Sequence, residues 1–272
     1  MKIALCLYGV VGNKTTKAGS KSSSLEILEA GYEKYKQNLM SKYDTDVFLH
    51  TWSTDFEEEI QNLYKPKGSI IEKQEVFEIP NHVKGDHPQQ PNRRQNHYSR
   101  WRSTQKVLKL LSESEQEYDF VLLSRFDLGL EKPFVFESLS KDKLYISRWL
   151  GVRYDSCYDI FDDGRGMFYL LEKAGKTKDL KKFGRGFPYD GEGILDLWFL
   201  GAPQRIKVFQ DLFDKIGDYM LPNRCPQAPL VSNHKLALYH IQQNNLFEDM
   251  EFITDPTSDH CLLRYKYFNA KK

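Results

Sequence analysis

Apolar residues run unbroken from Ile3 to Tyr8 and stop at Gly9, which predicts a buried β-strand. A loop rich in Gly, Lys and hydroxyl side chains follows, up to the capping box Ser23-Ser24-Leu25-Glu26. Beyond it Leu25, Leu28, Tyr32, Tyr35 and Leu39 recur at spacings of three and four, the period of a helix with one apolar face. Asp46–Trp52 reads as a second strand, and a second capping box, Thr54-Asp55-Phe56-Glu57, opens a short helix to Tyr64. Ser69–Ile79 reads as a third strand. The stretch from His82 to His97, with prolines, adjacent arginines and many amides, is too polar for a core and reads as a surface loop or flap. From Tyr98 a helix places Tyr98, Trp101, Gln105, Leu108 and Leu111 on one side, and Tyr118–Ser124 forms a fourth strand.

The second half is less regular. We expect a strand at Leu144–Ser147, a helix near Met167–Ala174, a Gly-rich stretch from Phe183 to Gly193, and helices over Gln204–Ile216 and Ser232–Gln243. Strands alternating with helices over short connections specify an α/β fold whose mostly parallel central sheet carries helices on both faces. No linker, repeat or shift of composition divides the chain, so residues 1–272 read as a single domain.

Charge narrows the partners. With 39 Lys and Arg against 38 Asp and Glu, the chain has no global basic field to attract nucleic acid or a membrane surface. No apolar run approaches the ~20 residues of a membrane span. The first strand is too short for a signal peptide and lacks a small-residue cleavage site, so a cytoplasmic location is expected. Cys6, Cys157, Cys225 and Cys261 never form a CxxC pair and read as ordinary reduced thiols.

Open α/β sheets bind ligands beyond the carboxyl ends of their strands, so the residues just after each apolar run are the candidates for chemistry. They are Tyr8 and Gly9 after the first strand, Thr51, Trp52 and Ser53 after the second, and Arg125 and Asp127 after the fourth. Arg100 lies in the first turn of the helix that precedes the fourth strand. Aromatic faces, hydroxyls, guanidinium groups and one carboxylate together suit a nucleoside diphosphate. The chain has no GxxxxGK[ST], GxGxxG, GxSxG or HExxH sequence, which removes support for P-loop, dinucleotide, serine-hydrolase and zincin chemistry.

The helix with Tyr98-x-Arg100, followed by Asp119-Phe120-Val121-Leu122-Leu123-Ser124-Arg125-Phe126-Asp127-Leu128, resembles the core of nucleotide-sugar-dependent glycosyltransferases of the GT-A fold. Asp46–Trp52 and Asp196–Ala202, the latter followed by a helix, are similar to segments of bacterial and viral members that build surface glycans. The resemblance implies a transferase that moves a sugar, by analogy from a UDP-sugar, to a hydroxyl of a glycan acceptor. It also implies a donor half over about residues 1–145 and an acceptor half over about residues 146–272. In the family a DxD-type motif binds a divalent cation, Mn²⁺ or Mg²⁺, on the donor pyrophosphate, with a further ligand from a histidine near the C-terminus. Asp127 and His260 match those positions.

Arg125 stands where the first Asp of a DxD would be. It can neutralise phosphate itself or pair with Asp127. Asp190, Glu192 and Asp196 are the expected carboxylates on the acceptor side, with Asp162 and Asp163 as further candidates. Glu192 and Asp196 share a face in either a helix or a strand, and their repulsion would raise one pKa toward that of a useful base. Trp149, Tyr154 and Trp198 can stack on sugar rings or belong to the core. The rival is a non-catalytic glycan- or nucleotide-binding protein with a degenerate site, for which Arg125 is the main argument.

Overall fold

Strand β1 (Lys2–Gly9) is buried from Ile3 to Tyr8, and the period of two sends its side chains into two different cores. Ala4, Cys6 and Tyr8 join one cluster, whereas Ile3, Leu5 and Leu7 join the other. A strand apolar on both faces must be covered on both. A computed structural model describes residues 1–11, 24–85, 93–147, 194–225, 228–254 and 260–263.

Helix α1 (Ser24–Tyr35) and helix α2 (Glu57–Tyr64) cover the face of Ile3, Leu5 and Leu7, contributing Leu28, Tyr35, Ile60 and Tyr64. Helix α3 (Arg93–Ser112) covers the opposite face through Tyr98, Trp101, Val107, Leu108 and Leu111. It is joined there by α5 (Leu212–Tyr219) and α6 (Asn233–Gln243), while the short α4 (Pro203–Ile206) precedes α5. Strands β1, β2 (Asp44–Thr51) and β3 (Gly68–Ile71) are laid down in succession by the two helices of one face. The next crossover uses α3 on the other face, and β5 (Phe120–Arg125) returns to pair with β1 on its free side. Strand order therefore reverses between β1 and β5, and this switch point is where an open α/β sheet leaves a crevice.

The central sheet runs β10–β7–β8–β5–β1–β2–β3, where β7 is Leu144–Ser147, β8 is Trp198–Gly201 and β10 is Met250–Thr254. All pairings are parallel except those of β8, which is antiparallel to both β5 and β7. Because β8 alone runs backwards, its first residues lie at the pole where its neighbours end, with Trp198 opposite Ser124. Two small ladders complete the fold, β6 (Leu128–Leu130) with β11 (His260–Leu262), and β4 (Lys84–Gly85) with β9 (Leu230–Val231). No helix among the described residues is long and apolar enough to cross a membrane.

Several boundaries differ from expectation. The third strand ends at Ile71 rather than Ile79, because the segment beyond it is held by side chains, with Gln95 bonded to the N–H and C=O of Phe77. The third helix begins at Arg93, so the polar stretch expected to be a flap supplies that helix's first turn as well as β4. The first helix passes into a π-helical turn at Lys36–Met40. Trp198 is fully buried and belongs to the core, where its ring packs edge-on against Phe134. The helix near Met167–Ala174, the Gly-rich stretch, Trp149 and Tyr154 lie outside the described residues.

Gly31 lets α1 approach the turn that carries Arg125 and Asp127. A Cβ at this position would stand 2.2 Å from the carbonyl oxygen of Phe126, a backbone atom with little freedom to retreat. Alanine gains about 1 kcal/mol over glycine in a helix interior, but overpacking of this kind costs about 1–3 kcal/mol. Gly31→Ala should therefore lower the urea midpoint at unchanged m-value. A stabilised variant would show that the helix does not need this approach.

Candidate functional site

The carboxyl ends of β1 and β5 and the entry to β8 meet at the switch point. Tyr8, the last core residue of β1, donates its hydroxyl toward the carbonyls of Asp196 at 3.1 Å and Leu197 at 3.3 Å. That hydroxyl also accepts a hydrogen bond of 2.9 Å from Arg100 Nη2. Burial pushes the Tyr8 phenol up to about 12, so it remains a donor at neutral pH.

Arg100 extends from α3 and grips residue 196 twice. Its Nη2 bonds the Asp196 carbonyl at 2.7 Å, and its Nε pairs with the carboxylate Oδ2 at 2.7 Å. The guanidinium lies 3.5 Å from the centroid of the Trp101 ring and 4.7 Å from that of Tyr8, so aromatic faces replace part of the water it has lost. The other carboxylate oxygen of Asp196 is 2.7 Å from His234 Nδ1, in the first turn of α6. Burial alone would raise the pKa of this carboxyl, but His234, Arg100 and Arg125 around it hold it well below the usual carboxylate range. Asp196, the carboxylate expected to act as a base, thus has both oxygens engaged, one by Arg100 and the other by His234. Asp190, Glu192, Asp162 and Asp163 lie outside the described residues.

Arg125 and Asp127 close on each other across the β5–β6 turn. Nε and Nη2 of Arg125 donate to the two oxygens of Asp127 at 2.7 and 3.0 Å, a bidentate fork. The turn is anchored from α1 by the Tyr35 hydroxyl, which is 2.7 Å from both the Arg125 carbonyl and Ser124 Oγ. Of the two roles open to Arg125, pairing with Asp127 is the one observed.

His260, expected to supply a further metal ligand, is buried at the start of β11, where its Nε2 is 2.7 Å from Ser147 Oγ. The β6–β11 ladder places it opposite Leu130, three steps of about 3.3 Å from the level of Asp127. No group of three His, Cys, Asp or Glu side chains converges as a metal site among the described residues. A divalent cation gathers several hard oxygen ligands, and both oxygens of Asp127 are held by the guanidinium fork of Arg125. Among the described residues, Asp127 and His260 do not meet as a pair of ligands for the implied cation.

Residues after β2 perform support. Thr51 Oγ1 accepts the Ser53 N–H at 3.1 Å, and Ser53 Oγ accepts the Val11 N–H at 2.9 Å. The Trp52 ring is enclosed against His50, Phe77 and Lys106 and shows little face to solvent. Gly9 has φ +104°, with open space where a Cβ would stand, and its N–H donates to Ser103 Oγ at 2.8 Å.

Ser103 is in turn 2.7 Å from His50 Nδ1, and His50 Nε2 is 3.1 Å from Glu72. A carboxylate only accepts, so Nε2 carries the hydrogen and Nδ1 receives the serine O–H. Glu72 is also paired with Lys106; against the effect of burial, Lys106 and His50 hold its carboxyl below the ordinary value. Ser103, Glu72 and His234 escaped the sequence reading. For Ser103 the available signal was a hydroxyl beside the apolar stripe of α3, whereas nothing local marked the other two.

Searched against models of known protein families, the chain matches none, and no curated protein is a significant match to its sequence.

The buried histidine makes the site sensitive to acid. Burial pushes His50 from its ordinary 6.5 down to about 4, so the native state holds it neutral. Its contribution is fully present above pH 6.5 and is lost as pH falls through about 4, because the unfolded chain takes up the proton first. At 1.36 kcal/mol per pH unit the loss amounts to about 3 kcal/mol. His50→Gln should flatten the fall in urea-unfolding free energy between pH 6.5 and 4, leaving the share due to His240, which burial shifts the same way. An equal slope in the variant would reject this assignment.

Proposed function

We propose that this chain is a glycosyltransferase that moves a sugar from a nucleotide sugar, a UDP-sugar by the resemblance, to a hydroxyl of a glycan acceptor. The observation that carries the reading is the meeting of Arg100 and Arg125, from two different elements, beside Tyr8 at the topological switch point. Breaking the bond between sugar and diphosphate leaves new negative charge on the diphosphate, which prearranged cations stabilise in a site shielded from water.

The guanidinium of Arg125 presents a planar fork that fits two phosphate oxygens as well as it fits the Asp127 carboxylate. In this reading Asp127 keeps Arg125 aimed until the diphosphate replaces it. Arg100, stacked on Trp101 and tied to Tyr8, supports the floor of the crevice and the entry to β8. The donor half would comprise about residues 1–145 and the acceptor half about residues 146–272. The fork also favours a second reading, a nucleotide- or glycan-binding protein without turnover, because it neutralises the carboxylate that the family uses for its metal.

Incubation with a panel of nucleotide sugars, read as free nucleotide released and as product formed on glycan acceptors, separates the two. A transferase releases nucleotide slowly with one donor and faster with acceptor. Arg125→Ala should lower that rate by about 10²-fold, the usual effect of removing one charge-stabilising donor. A donor that raises the melting temperature yet is never turned over would establish the binder.

A further inference from the structure

His234 was not among the residues expected to take part, yet two contacts determine its protonation pattern. Nδ1 lies 2.7 Å from the carboxylate of Asp196 and 2.9 Å from the carbonyl oxygen of Ile194. Both partners can only accept, so Nδ1 must carry the hydrogen, and in the neutral ring Nε2 carries the lone pair. The Ile194 N–H donates back to the His234 carbonyl at 3.2 Å, which fastens the start of α6 to the segment that enters β8. The imidazole is 17% exposed, whereas Asp196 behind it is 5% exposed. This is the geometry of a base oriented by a carboxylate.

We propose that His234 is the proton acceptor for the incoming hydroxyl and that Asp196 is its positioning residue; the inference rests on the glycosyltransferase reading. The acceptor oxygen bonds to the anomeric carbon as the bond from that carbon to the diphosphate oxygen breaks, and the electron pair leaves with the nucleoside diphosphate. The hydroxyl proton passes to His234 Nε2. The imidazolium so formed faces the Asp196 carboxylate and returns its proton to solvent before the next turnover. The other groups acting on this pair are Arg100 from α3 and Arg125 from β5, whose positive charges bear on the same carboxylate, with the neutral Tyr8 hydroxyl beside them. A single displacement of this kind inverts the anomeric centre.

The test uses the full chain with whichever nucleotide sugar and acceptor give transfer. His234→Asn keeps an N–H donor near the position of Nδ1 and removes Nε2. It should lower transfer kcat by about 10²-fold or more, leave the donor KM within a few-fold, and recover part of its rate when imidazole is added. The acid limb of the wild-type pH–rate profile should vanish in the variant. Unchanged kcat, or an unchanged acid limb, overturns the assignment of the base while leaving the transferase reading intact. The anomer formed by the wild type tests the proposal without a variant, and retention overturns it. Absence of transfer by the wild type with every donor overturns the transferase reading and this inference with it.

Discussion

A carboxylate buried at the mouth of the sheet is the constraint on which the site depends. Moving a charge such as that of Asp196 out of water costs several kcal/mol unless partners replace the lost hydration. Here the partners come from two separate elements, Arg100 on α3 and His234 on α6. Arg100 has lost water in turn, and the Tyr8 hydroxyl, Thr104 Oγ1 and the Trp101 ring supply what it lacks. One buried charge thereby ties β1, α3, α6 and the entry to β8 into a single arrangement, and removal of any member would leave another uncompensated.

Strand direction decides that these groups can meet. Parallel strands deliver the residues after their carboxyl ends to one pole, which accounts for Tyr8, Thr51 and Arg125 lying along one edge. Asp196 comes before its strand and would lie at the far pole if β8 ran parallel to its neighbours. Reversal of β8 between β5 and β7 brings it to the near one. The change of helix face between the β2–β3 and β3–β5 crossovers then opens the crevice beside β1, so cations and crevice coincide.

Past the strand ends the backbone has no ladder to satisfy it, and hydroxyls take over. The N–H of Gly9 goes to Ser103, that of Val11 to Ser53, and that of Ser53 to Thr51. Ser103 accepts from Gly9 and gives its own hydrogen to His50, which is held in that tautomer by Glu72. The site thus has a charged side, at Arg100, Arg125, Asp127 and Asp196, and a neutral side that controls how the chain leaves β1.

Local sequence determined the α/β class, the strands around Ile3–Tyr8, Asp46–Thr51 and Phe120–Ser124, and the candidates at their ends, because buried strands and amphipathic helices are written in the spacing of apolar residues. The short β3 and the early start of α3 were not legible, since contacts distant in sequence, such as Gln95 with Phe77, overrode local propensity. Tyr8, Arg100 and Asp196 were each marked by type and position, but their union was not, and neither was the fork between Arg125 and Asp127. His234 carried no mark at all. Periodicity states which face of a strand is apolar, but it contains neither the direction of β8 nor the register that places Trp198 opposite Ser124. Those were decided by tertiary structure alone, because a buried charge is satisfied by distance in space, and residues 8, 100, 196 and 234 become neighbours only when the sheet closes around them.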